Sequence, residues 1–126
     1  MIEPAHRLIA DDAAIADDDL VVPCPAGLTE HAIAPLTRHG SRAYWETGSV
    51  TIEWTTAGGT FDHVALRTWL DMLAAGSAVI SREALTLRIR DWLSARPGVV
   101  GVVVRTWWTG PGMQVFIGGV DAGPTR

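Results

Sequence analysis

The chain has 126 residues, enough for one domain with a real core and too few for two ordinary ones. Its net charge is −4, every one of the ten basic residues is Arg, and no basic stripe with interleaved aromatics occurs, which argues against nucleic acid as the main partner. Hydrophobic residues make up 48%, no apolar run approaches the roughly 20 residues of a membrane span, and the start lacks a charged-then-apolar leader pattern, so a soluble, cytoplasmic protein with no membrane partner is expected. A single cysteine, Cys24, rules out an internal disulfide and an all-cysteine zinc site within one chain.

In chain order, six acidic residues come first: Glu3, Asp11, Asp12, Asp17, Asp18 and Asp19. They predict a solvated, flexible arm over residues 1–18, ahead of one α+β domain over 19–120 and a short tail over 121–126. The run LVVPC is a short strand ended by two prolines that bracket Cys24. Residues 26–42 mix turn formers and polar groups with little periodicity, which predicts an irregular segment. In SVTIEWT, by contrast, Val50, Ile52 and Trp54 alternate with Thr51, Glu53 and Thr55, as in a strand with one buried face.

From Phe61 the period lengthens. Phe61, Ala65, Leu66, Trp69, Leu70 and Leu73 fall at helical spacing, with Thr60 available as N-cap and Gly76 as stop. A second helix is predicted after Ser81, with Leu85, Ile89, Trp92 and Leu93 on its apolar face, ended by Arg96, Pro97 and Gly98. VVGVVVRTWW then reads as a well-buried strand, TGPG as a turn, and MQVFIGG as the returning strand of a hairpin.

This strand, strand, helix, helix, strand, strand order resembles the tunnelling fold, from about residue 19 to 119. The resemblance implies a four-stranded antiparallel sheet with two helices on one face, and homo-oligomers that join through sheet edges. Within that superfamily the chain is most similar to the branch of 7-cyano-7-deazaguanine reductase and type IB GTP cyclohydrolase. The CP pair after an apolar strand stands where the reductases carry a cysteine that attacks the nitrile carbon. Asp62, Leu66, Trp69 and Leu70 of FDHVALRTWL fit the reductase pattern, and Glu83 of SREALTLRIRDWL stands where the tunnelling fold places a glutamate that grips a pterin or guanine-like ring.

The departures carry weight too. Val64 and Arg67 stand where the reductases have lysines, which puts NADPH binding and hydride transfer in doubt and leaves Arg67 as the cation for a cofactor phosphate. Position seven after Cys24 is His31, with Glu30 before it, where the reductases carry an acidic proton donor, and the segment that follows is longer here. HGSR at 39–42 is similar to the zinc-binding stretch of the cyclohydrolases, where Glu30 would replace a cysteine.

Each candidate has two readings. Cys24 is a nucleophile if its loop is accessible and beside His31 or His39, and a small buried apolar group if it is not. Cys24 and His39, with Glu30, would suit zinc as an alternative. Glu83 could accept two parallel N–H bonds from a ring, or simply complement the dipole of its helix, and Asp62 has the same ambiguity. One of Trp107 and Trp108 must face away from whatever buries the other, and Trp107 is the candidate for stacking on a heterocycle. The resulting expectation is an oligomeric enzyme acting on a GTP-derived purine, deazapurine or pterin, with Cys24, Glu30 and His31 catalytic and Glu83, Asp62 and Trp107 binding the ring. A zinc-dependent cyclohydrolase and a non-catalytic assembly subunit, as in a phage particle, are the alternatives.

Overall fold

The β-branched run after Pro97 and the alternating run around Trp54 pair with each other, and the other elements are laid around that pair. A computed structural model describes residues 17–39, 45–75, 81–109 and 116–123. The elements are α1 (Asp17–Leu20), β1 (Val21–Pro23), β2 (Thr29–His39), β3 (Trp45–Thr56), β4 (Gly59–Phe61), α2 (His63–Ala75), α3 (Arg82–Ser94), β5 (Val99–Thr109) and β6 (Phe116–Ala122). This is an α+β fold with two antiparallel sheets, a four-stranded one in the order β2-β3-β5-β6 and a two-stranded ribbon of β1 and β4.

The inner face of the large sheet carries Ala34 and Leu36 from β2, Val50, Ile52 and Trp54 from β3, and Val102, Val104 and Trp108 from β5, all buried. Helix α2 packs over β2, and α3 over β5 and β6. The apolar stripes that put them there are the expected ones: Leu66, Trp69, Leu70 and Leu73 on α2, and Leu85, Ile89 and Leu93 on α3. Trp69 and Trp92 stack with ring centroids 4.5 Å apart, and the Arg96 guanidinium lies 3.9 Å from the Trp92 ring centre.

Three expectations are corrected. The LVVPC strand is not the first strand of the large sheet but pairs with β4 in the separate ribbon. Residues 29–39 are not irregular but an eleven-residue edge strand, paired with β3 from Thr29↔Thr55 to His39↔Trp45. Its inward positions are Glu30, Ala32, Ala34, Leu36 and Arg38, so the apolar alternation is diluted by two small residues and two charged ones. Pro35 is tolerated because the strand is at the sheet edge. The first helix begins at His63, and its cap is Asp62, whose Oδ1 accepts the Ala65 N–H at 2.9 Å. Thr60 is instead held in β4, where its Oγ1 accepts the Trp54 indole N–H at 2.9 Å.

Strand β5 contains one residue more than β3 between the pairs Glu53↔Val103 and Thr55↔Val100, and Gly101 takes φ +64° there. This is a bulge with a glycine in the left-handed region, which explains a glycine inside an otherwise β-branched run. Residues 1–16 of the acidic arm, Gly76, and residues 110–115 of the last hairpin lie outside the described residues.

Candidate functional site

Cys24 follows β1 in a loop that is tied to the end of β3. The Cys24 N–H donates to the Gly58 carbonyl at 3.1 Å. The Thr56 hydroxyl donates to the Pro25 carbonyl at 2.7 Å and accepts the Leu28 N–H at 2.9 Å, while the Thr56 backbone bonds both Gly27 and Leu28 at 2.8 Å. The loop is therefore fixed by its own backbone groups, and Cys24 is half-exposed upon it. Alkylation with iodoacetamide should accordingly modify Cys24 in native protein without denaturant, as followed by intact mass. Protection until global unfolding would remove the covalent chemistry from consideration.

Glu30 and His31 are successive residues of β2, so their side chains leave opposite faces of the sheet. Glu30 is half-buried on the inner side, in register with Trp54, and His31 is exposed on the outer side, in register with Glu53. Only one of them can share a face with a given ligand. Asp62 is engaged as the α2 cap, a role worth about 1 kcal/mol. Arg67 is exposed on α2, 3.7 Å from Asp71 one turn on.

Glu83 is exposed in the first turn of α3, after the Ser81 cap whose hydroxyl accepts the Ala84 N–H at 3.0 Å. Its neighbour Arg82 reaches back to Glu46 at the start of β3. Cys24 belongs to the other end of that strand, beside Thr56. Ten residues of extended chain separate Glu46 from Thr56, roughly 33 Å. Cys24 and Glu83 of one chain therefore cannot hold the same small molecule.

The outer face of the large sheet has no helix over it among the described elements. It displays Ile33, 70% exposed, and Trp107, 47% exposed, with Trp108 buried beneath. Trp107 lies in register between Ser49 and Gly119. Threonines 29, 37, 47, 51 and 55 alternate onto the same face from β2 and β3.

Among the described residues, no three His, Cys, Asp or Glu side chains gather as a metal site. The His39 side chain, a member of the zinc alternative, lies outside them. No helix among the described residues is long and apolar enough to cross a membrane.

The sequence reading did not anticipate a polar circuit at the α3 end of the sheet. Glu46, 1% exposed, receives the Arg38 Nε–H at 2.8 Å and is paired on its other oxygen with Arg82. The Arg38 guanidinium lies 5.0 Å from the Trp108 ring centre. The Trp108 indole N–H donates to Thr106 at 2.9 Å, the Thr106 and Thr86 hydroxyls meet at 2.8 Å, and Thr86 donates to the Arg82 carbonyl at 2.8 Å. With the Thr86 proton so used, Thr106 is the donor between them, and the circuit closes on Arg82. Its only sequence signal is that Arg38 and Glu46 flank a hairpin symmetrically on the inward parity.

No protein-family model matches the chain, and no curated protein matches it in sequence.

Proposed function

We propose that the protein is an oligomeric tunnelling-fold enzyme whose copies together bind a purine, deazapurine or pterin ring. The observation that carries this is the connectivity: two long strands, two helices, and two strands in sequential sheet order, with both helices on one face. Among the described residues the large sheet has two edges, β2 and β6, and one face with no helix over it, and further copies would cover them. Pro35 takes one donor from the β2 edge, so pairing there would be interrupted at that residue.

The separation of Cys24 from Glu83 makes oligomerisation a requirement of the enzyme reading. The cysteine of one copy would attack a ring held by the glutamate of another, with Trp107 stacking on that ring and Glu30 or His31 transferring protons. With Val64 and Arg67 in place of lysines, the reading favours a non-reducing transformation over NADPH-dependent reduction. A non-catalytic assembly subunit is the second reading, favoured by the exposure of Ile33 and Trp107 on the outer face of the sheet.

Calorimetric titration with guanine, 7-cyano-7-deazaguanine, GTP and a reduced pterin, alongside light scattering, tests the proposal. Glu83→Gln should leave folding and assembly unchanged and weaken ring binding by about 2–5 kcal/mol, the cost of mismatching desolvated polar partners. An oligomer that binds none of the four would establish the assembly reading instead. A monomer at micromolar concentration would rule out both.

A further inference from the structure

Strand β2 is an edge of the large sheet, and its pairing shows which of its backbone groups face away from β3. At its start the Leu28 carbonyl accepts the Thr56 N–H at 2.8 Å, one residue before the pair Thr29↔Thr55. Antiparallel pairs alternate between hydrogen-bonded and non-hydrogen-bonded, so the even-numbered residues of β2 direct their backbone groups to β3 and the odd-numbered ones turn theirs to the edge. Pro35, which has no N–H to give, falls in the odd set, as this assignment requires.

The strand is also self-complementary about its midpoint. Ala34 is the centre of Thr29–His39, and an antiparallel copy in full overlap sets Ala34 against Ala34, Ile33 against Pro35, His31 against Thr37 and Glu30 against Arg38. Edge-facing residues then meet edge-facing residues, so a ladder can form, and each proline removes a single bond from it. On the inner face the Glu30–Arg38 pairs are of opposite charge. Glu46 is already shared by two guanidinium groups, Arg38 and Arg82, so that end of β2 favours the approach of a further carboxylate. On the outer face Ile33, 70% exposed, and the exposed Pro35 meet their counterparts in one apolar cluster. Moving the axis by one residue, to Ile33 or Pro35, takes Glu30 away from Arg38 and shortens the overlap.

We infer that β2 pairs antiparallel with β2 of a second copy about a two-fold axis at Ala34, joining the two large sheets into one. The partner is a second copy because charge and apolar surface are matched by the strand's own sequence, and an isologous contact needs that self-complementarity. The Glu30 and Arg38 pairs fall at non-hydrogen-bonded positions of the new ladder, where facing side chains are closest. The inference deepens the oligomeric part of the reading above and rests on it only for the association of copies. It is independent of any ring, and it leaves β6 for further contacts.

Disulfide trapping of the full chain in a Cys24→Ser background tests the register. Ala34→Cys should form a covalent dimer on mild oxidation, since the two Cα atoms would be about 4.5 Å apart across the axis. Thr29→Cys should not, because its counterpart lies ten residues along the ladder, roughly 33 Å away. Thr37→Pro removes an edge-facing N–H on the same parity as Pro35, so it should keep the native circular dichroism and weaken the dimer by about tenfold or more in sedimentation equilibrium. Glu30→Lys, which sets like charges opposite each other, should weaken it in the same direction. The inference is overturned if Thr29→Cys is trapped as readily as Ala34→Cys, if Thr37→Pro fails to fold, or if an oligomer persists unchanged in Thr37→Pro. In that last case another edge or face joins the copies and the ring-binding reading survives, whereas a wild-type monomer removes both. Where Ala34→Cys does not fold, Thr37→Pro decides alone.

Discussion

Replacing Glu46 by alanine should lower the free energy of unfolding by about 3–5 kcal/mol, the cost of removing one partner from a buried ion pair. The magnitude follows from what stays behind. Arg38 is 8% exposed and cannot carry its guanidinium to water, and Arg82 shares the same carboxylate from the start of α3. Without Glu46 the two cations also repel each other across a poorly solvated space. Replacing the buried pair together, as Arg38→Met with Glu46→Leu, should recover much of the loss, because the desolvation cost disappears with the charges. Urea unfolding followed by tryptophan fluorescence measures both. A loss below about 1 kcal/mol for Glu46→Ala would mean that the pair is solvated in solution.

Trp54→Ala should be comparably severe, at about 3–5 kcal/mol, for a different reason. Its indole is fully buried, meets Phe61 edge-on at 4.9 Å and donates to Thr60 at 2.9 Å, so it joins the large sheet to the β1–β4 ribbon. The cavity left by alanine would lie beneath both. Because the Cys24 loop hangs between that ribbon and the end of β3, the variant should also alkylate faster at Cys24 than the wild type at equal denaturant. Trp54→Phe should fall between the two, filling most of the space and leaving the Thr60 hydroxyl without its indole donor. An unfolding midpoint for Trp54→Ala within experimental error of the wild type would show that the ribbon is not coupled to the core.

Both helices were legible in the sequence because their buried residues, Leu66, Trp69, Leu70 and Leu73 and then Leu85, Ile89 and Leu93, are large and recur at the helical period. The centre of β3 was legible for the same reason at period two. Strand β2 was not. What buries Ala34 and Arg38 is distant in sequence: α2 covers the alanine, while Glu46 and Trp108 neutralise and cover the arginine. A local pattern cannot announce a charge that is buried by partners of that kind. The same limit applies to the candidate site. Cys24 at a strand end and Glu83 at a helix start could each be placed from sequence, but that these are opposite ends of one sheet depends on how β3 runs between them.

The cap residue shows how an assignment can fail by two positions and alter a role. Thr60 and Asp62 are both acceptable N-caps, and the sequence pointed to Thr60. The fold uses Asp62, because Trp54 needed a partner for its indole N–H and Thr60 supplied it from β4. Asp62 was then left to satisfy the first amides of α2, which accounts for its carboxylate without any ligand.

The stacked Trp69 and Trp92 give the molecule a built-in optical reporter. Two indoles with centroids 4.5 Å apart and planes inclined by 17° couple their electronic transitions, and the coupling is lost as soon as the rings separate. One ring belongs to α2 and the other to α3, so the resulting circular-dichroism couplet tracks the docking of the helices on each other, independently of the sheet. Loss of the Glu46 anchor on α3 would be visible in that signal without any label.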